Sequence, residues 1–309
     1  MINLHDICYL RLGCRDIEEM VGFATNILGL ELRERTATHA YLRGDSSAFN
    51  ICYIEGDPSY DASAFEVRHL ADLKTAQSEL ADQGIEVRWG SLTECDERRV
   101  EAFVAFTDPN DNRIELVYRP HQTGVRYFPA RDAGITEFGH FGLHSREIER
   151  DLLFWTSVLS ARVSDRIGDG ALLRIDEVHH KIALFPSDKV GVQHVNFQVA
   201  SIDDVMRSWY FLQEHEVPIV FGPGRHPTST AMFIYFLGPD GRVYEYSSGV
   251  KRITDEAFYT PRQFEMKPSS FCMWGAKPNV EEWIGNFQFV TPEGLGDGVD
   301  EFTNTYVHL

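Results

Sequence analysis

"CRDIEEMVGFATNILGLELRERT" (14–36) and "SREIERDLLFWTSVLSARVSDRI" (145–167) are two versions of one pattern, and that correspondence decides the fold. "RDIE" faces "REIE" and "FATNILG" faces "FWTSVLS", at an offset of 131 residues (148 minus 17). Working outward, "ASAFEVRHLADL" (62–73) matches "HVNFQVASIDDV" (194–205) at an offset of 132 (194 minus 62). "DPNDNRIEL" (108–116) matches "GPDGRVYEY" (238–246) at 130 (245 minus 115). Three matches at nearly one offset mark a duplicated domain, far too long a period for a solenoid unit.

Each half divides again. A strand-like run precedes a helix-like one in every quarter: "ICYLRLG" before 16–28, "AFEVR" before 70–83, "FGHFGLHS" before 147–159 and "HVNFQVA" before 202–215. Alternating runs with turn signals follow, so each quarter reads strand, helix, then several strands. Ser145 and Ser201 stand just before acidic residues, as N-caps would. The expected fold class is α+β, with two homologous domains of two βαβββ modules each. Residues 1–122 form the first domain, 123–134 a linker, 135–250 the second domain and 251–309 an extension. The linker lies in "YRPHQTGVRYFPARDAGI" (118–135), which has Pro, Gly and charge but no periodicity.

The chain has 309 residues, enough for two domains with real cores. A formal net charge of −18 argues against binding a phosphate backbone. No apolar run is long enough to span a membrane, and the N-terminus does not read as a signal peptide. Five scattered cysteines without CxxC spacing give neither a disulfide framework nor a zinc knuckle. A cytoplasmic setting is the expectation.

The two halves differ in their chemistry. The second carries His140, His194 and Glu245, separated by 54 and 51 residues (194 minus 140; 245 minus 194). The first has Tyr9, Ala62 and Glu115 at the same places. One copy thus holds two imidazoles and a carboxylate, and the other has lost both imidazoles. Two His and one carboxylate on one face of an octahedron leave open positions, as in non-haem Fe(II) oxygenases. His144 lies an even number of residues from His140, on the same strand face, and competes with it for the ligand position.

The pieces "FGHFGLHS" (138–145), "GVQHVNFQVASIDDV" (191–205) and "GPGRHPTSTAMFIYFLGPDGRVYEY" (222–246), with the twofold module repeat, resemble a type I extradiol (ring-cleaving) catechol dioxygenase of the vicinal oxygen chelate superfamily. The resemblance covers roughly residues 2–250. It implies metal ligands at His140, His194 and Glu245, and a metal-free first domain. It also implies catalytic roles for His180 in "HHKIALFP", for His226 in "GRHPTS" and for Tyr235 in "MFIYF". His180 would stabilise bound dioxygen and then act as acid, and His226 and Tyr235 would hydrogen-bond the substrate oxygens. The implied cofactor is Fe(II), with Mn(II) held by the same ligands. The implied substrate is a catechol-type diol that reacts with O2, opened by meta cleavage, in a homo-oligomer.

His179 competes with His180, because adjacent strand residues point to opposite faces. Ser229 contacts substrate or caps a turn, and Arg225 orders its loop or meets a substrate carboxylate. The extension, with Tyr259, Phe264, Phe271 and Trp274, closes over the pocket, packs on the barrel exterior or forms a subunit contact; its polar, Gly-rich end is expected to be mobile in part. Two rival readings are another metalloenzyme of the superfamily, such as a glyoxalase-like isomerase or a thiol transferase, and a non-catalytic small-molecule binding protein. The former group usually carries a different ligand composition and lacks the His180, His226 and Tyr235 set.

Overall fold

The computed structural model describes residues 1–278. The stretch "EEWIGNFQFV" (281–290) and the Gly-rich end lie outside them. The first module is β1 (Asp6–Cys14), α1 (Ile17–Asn26), β2 (Glu31–Arg35), β3 (His39–Arg43) and β4 (Ile51–Glu55). The second is β5 (Asp61–Val67), α2 (Leu70–Ala81), β6 (Arg88–Trp89), α3 (Leu92–Arg98), β7 (Val100–Thr107) and β8 (Arg113–Pro120). The third is β9 (Ile135–Ser145), α4 (Ile148–Ser157), β10 (Arg162–Ile167), β11 (Gly170–Arg174) and β12 (Ile182–Pro186). The fourth is β13 (Val192–Val199), α5 (Ile202–Glu214), β14 (Ile219–Arg225), β15 (Met232–Leu237) and β16 (Val243–Ser248). The extension adds β17 (Arg262–Phe264) and the single turn α6 (Pro268–Phe271). The βαβββ order holds in all four quarters, with α3 inserted into the second. Among the described residues, no helix is long and apolar enough to cross a membrane.

Two sheets result, ordered β2-β3-β4-β1-β5-β8-β7-β6 and β14-β15-β16-β13-β9-β12-β11-β10-β17. In each, the first strands of the two modules pair antiparallel at the centre, β1 with β5 and β9 with β13. Each first strand also pairs parallel with the last strand of its own module, as β13 does with β16. Three neighbouring strands at the middle of each sheet therefore come from two modules. This crossing lets residues more than 50 positions apart share one face.

Helix starts follow local chemistry. Asp16 caps α1 by accepting from the Glu19 amide at 2.9 Å, and Ser201 caps α5 through the Asp204 amide. Ser145 does not cap. The cap position of α4 is Glu147, without a side-chain bond, and the Ser145 hydroxyl instead donates to the buried carboxylate of Asp151. The apolar faces of the helices do not pack only on their own sheets. Phe23 of α1 meets Tyr244 of β16 at 5.1 Å, and Phe154 of α4 meets Phe106 of β7 at 6.3 Å. One core cluster runs through both halves as a result.

Candidate active site

Strand register builds the site. Asn196 of β13 pairs with His140 of β9 on one side and Glu245 of β16 on the other. Glu245 pairs in turn with Tyr235 of β15. Laterally paired residues share a face, so these four form one row across the sheet. His194 lies two residues before Asn196 and returns to that face. The first half repeats the row as Tyr9, Ala64 and Glu115, with Ala62 where His194 would be.

The row places three donor atoms around one point. His140 Nε2 is 3.0 Å from His194 Nε2 and 3.0 Å from Glu245 Oε2, and His194 Nε2 is 3.7 Å from that oxygen. All three side chains are buried. Among the described residues they are the group of His, Cys, Asp and Glu placed to hold a metal ion; His144, the competitor at His140, is not part of it. The donor set fits a divalent cation. Glu245 Oε2 is buried without a hydrogen bond of good geometry. Burial raises the Glu245 carboxyl, but the imidazoles of His140, His226 and His194 outweigh it and hold it well below the usual carboxylate range. Burial and the neighbouring His140 push His194 down to about 3, so it is neutral, as a metal-ligating imidazole must be. Its Nδ1 faces the Gln193 side-chain oxygen, which leaves Nε2 as the bare nitrogen at the centre.

The triad opens into a cavity lined by His180, Gln193, His226, Ser229 and Tyr235 on its polar side. Ile167, Leu172, Ala183, Phe185, Phe221 and Phe271 add its apolar lining. His180 lies on the cavity, its ring 4.3 Å from that of His140, and burial holds its pKa well below the ordinary value. His179 points away and bonds Asp165 at 2.9 Å. His226 presents Nδ1 to the Phe271 carbonyl at 2.7 Å, so that nitrogen carries the proton. Its Nε2 then accepts from the Tyr235 hydroxyl at 3.1 Å. Arg225 turns to the Thr230 carbonyl at 3.0 Å, a loop-ordering contact. Ser229 is fully buried on the cavity wall.

Three contributors had no signal at the level of motif spacing. Gln193 orients His194; Phe271 acts through a backbone carbonyl that any residue would supply. Arg98 sits in the first half, where its guanidinium clamps both oxygens of Glu115 at 2.6–2.9 Å while Tyr9 donates to the same carboxylate at 2.7 Å. The cation of the first copy is thus a side chain. Its helix α3 did carry a signal: Ser91 and Glu94 form a capping box, the S-x-x-E spacing of a helix start.

Paired βαβββ modules with a cluster of metal-ligand side chains at the sheet centre are the architecture of the vicinal oxygen chelate class of protein. The family model of the Glyoxalase/Bleomycin resistance protein/Dioxygenase superfamily matches residues 6–116 and 137–246, and the chain belongs to that superfamily. Within it, the likeness is to type I extradiol dioxygenases. The chain is 28% identical over 274 residues to the 3-methylcatechol 2,3-dioxygenase of Pseudomonas putida, covering 82% of this chain and 92% of that protein. It is 24% identical over 268 residues to a manganese-dependent 2,3-dihydroxybiphenyl 1,2-dioxygenase of Geobacillus genomosp. 3, covering 78% and 84%. The crystal structure of a halotolerant catechol dioxygenase superposes with a TM-score of 0.82 at 21% identity, over 92% of this chain and 97% of that one.

Proposed function

We propose that this protein is a metal-dependent extradiol dioxygenase that cleaves a catechol-type aromatic diol beside its hydroxyl pair. The observation that carries this reading is one cavity lined by His140, His194, His180, His226 and Tyr235, with Glu245 completing a donor group with the first two. The fold alone hosts several reactions; the set of His180, His226 and Tyr235 favours ring cleavage over isomerisation or simple binding.

His140, His194 and Glu245 would hold the metal. Fe(II) is the expected ion, although the same ligands suit manganese. When bound, it favours the anionic form of the diol and brings diol and O2 together. The remaining work belongs to side chains. His226, with Nδ1 fixed on the Phe271 carbonyl, has Nε2 as an acceptor, which exchanges the Tyr235 hydroxyl for a substrate hydroxyl and takes its proton. Tyr235 is held well above the ordinary tyrosine pKa by burial and by Glu245, so it stays protonated and donates a hydrogen bond. His180, neutral in the resting site, faces the space beside the triad; once its open nitrogen has taken up a proton released there, it stabilises negative charge and returns that proton. Losing such a preorganised donor costs about 3 kcal/mol, roughly a hundredfold in rate.

The apolar wall supports a substrate with an apolar substituent, such as an alkylcatechol or 2,3-dihydroxybiphenyl. No Lys or Arg lines the described cavity. A carboxylated ring such as 2,3-dihydroxy-p-cumate would meet no Lys or Arg among these described lining residues, and burying its charge is costly. Phe271 and Pro268 of the extension border the cavity, which supports the closing role for that segment.

The deciding experiment is anaerobic reconstitution with Fe(II), then air and a panel of catechols, with metal analysis on the same sample. Yellow ring-fission product, lost in His194→Ala together with the metal, is the expected result. One bound metal per chain with no turnover of any catechol would overturn the reading.

A further inference from the structure

The side chains behind His180 are more ordered than a passive wall requires. Asp165 and His179 are both fully buried. His179 Nε2 lies 2.9 Å from Asp165 Oδ2, and His179 Nδ1 lies 3.1 Å from His180 Nδ1. The two rings stand at 90° to one another. The Asp165 carboxylate is held from the far side by the extension. Arg262 of β17 donates its amide to Oδ1 at 2.8 Å and its Nη2 to Oδ2 at 2.6 Å, and the Tyr259 hydroxyl reaches Oδ1 at 3.4 Å. The chain of contacts therefore runs from the extension to the cavity through Asp165, His179 and His180.

We infer that Asp165, locked by Arg262, is a positioning residue that fixes the tautomer of His179 and through it the tautomer of His180, leaving His180 Nε2 bare toward the reacting atoms. An ionised carboxylate is an acceptor only, so His179 Nε2 carries a proton. Two Nδ1 atoms at 3.1 Å share one proton. A neutral His179 has none left for its Nδ1, so the shared proton belongs to His180 Nδ1. The neutral His180 ring then has its lone pair at Nε2. Burial holds His179 below the ordinary histidine pKa even with Asp165 opposing, in keeping with a neutral ring. Asp165, raised by burial but lowered further by His179 and Arg262, stays ionised. Arg262 matters because both carboxylate oxygens are also spoken for on its side, so the carboxylate cannot rotate away from His179.

This inference rests on the proposed role of His180 for its catalytic consequence, but not for its structural content. Ring-15N-labelled protein without metal reads the tautomers directly by long-range 15N–1H correlation. The expected pattern is one histidine protonated at Nε2 and bare at Nδ1, its neighbour the reverse, with assignments from His179→Gln. In Asp165→Asn an NH2 replaces one of two oxygens that both accept from Arg262, so the side chain no longer fixes His179 and the single tautomer pattern of the two rings is lost. The Fe(II)-loaded D165N variant then loses on the order of 10²-fold in kcat, with KM for the diol nearly unchanged. Arg262→Met lowers kcat less, and Arg262→Lys restores most of it. If D165N does not fold, the wild-type ring pattern and the Arg262 pair still decide. Two histidines sharing one tautomer in the wild type, or unchanged tautomers in D165N, would overturn the inference. A correct tautomer pattern in a protein that turns over no catechol would instead refute only the assigned activity.

Discussion

Glu115 and Glu245 hold the same place in two copies of one sheet, and their neighbours decide what each can do. Glu245 meets imidazoles, which are ligands once neutral; Glu115 meets Arg98, which is a permanent cation. Both partners of the Arg98–Glu115 pair are more than nine-tenths buried, so removing one strands the other. Arg98→Met is expected to cost about 3–5 kcal/mol in urea unfolding, and the double variant with Glu115→Gln to recover much of that. A loss below about 1 kcal/mol for the single change would mean that the pair is solvated. Histidine burial sets the acid limit in the same way. Burial, with Lys189 adding, pushes His144 down to about 4. Between the ordinary value near 6.5 and about 4, the unfolded chain binds a proton there and the folded chain does not. Stability therefore falls as pH drops through that window, by about 3 kcal/mol in full from this residue. His144→Gln in the metal-free protein should lose less stability than the wild type between pH 7 and pH 4.5. Equal losses would show that other groups carry the acid transition.

At the scale of elements, β9 and β13 set the site by their close approach. A Cβ on Gly142 would stand 2.5 Å from His194 Nδ1 and 2.8 Å from the Gln193 side-chain oxygen. Gly142→Ala is thus expected to rotate the His194 ring and weaken metal binding about 10- to 100-fold, the usual scale for a disturbed supporting shell. Calorimetric titration with metal would show this, and wild-type affinity in the variant would sink it. The elements themselves were readable because each quarter repeats a pattern, and repetition turns weak periodicity into a firm assignment. The triad was readable for the same reason: His140 and His194 stand out against Tyr9 and Ala62. What stayed hidden lacks any counterpart in the repeat. Arg98 belongs to an inserted helix, Arg262 to the extension, and Phe271 acts through its backbone. Ser145 misled because it ends β9, two residues before the cap position of α4 at Glu147, out of reach of the first helical amides. Ser201 stands directly before α5 and does cap it.

At the scale of the molecule, the first half supports the second. Phe65 packs against Phe141 at 5.6 Å and Trp155 at 5.4 Å, and the hydroxyls of Tyr53 and Tyr244 meet at 2.8 Å. Arg242 reaches back to Asp61 at 2.6 Å and to the Gly13 carbonyl at 3.0 Å. The amides of Gly191 and Val192, which lead into the strand of His194, donate to Asn112 and Asp61 of the first half at 2.7 and 3.0 Å. Arg131, in the connecting segment, lies 3.9 Å from the Phe211 ring and bonds the Tyr246 hydroxyl at 2.8 Å. Duplication commonly yields separable domains, but a core shared in this way couples their unfolding. The whole chain is therefore expected to melt in one calorimetric transition, with calorimetric and van't Hoff enthalpies agreeing. A fragment covering 135–309 would expose the aromatic faces that Phe23 and Phe65 now cover. It is expected to lose cooperative melting and metal binding together, although it carries every proposed ligand. Two resolved transitions in the full chain, or a fragment that melts cooperatively and binds metal, would show that the halves stand alone. In that case the first copy would be dispensable to the site, rather than the buttress that holds the His194 strand in register.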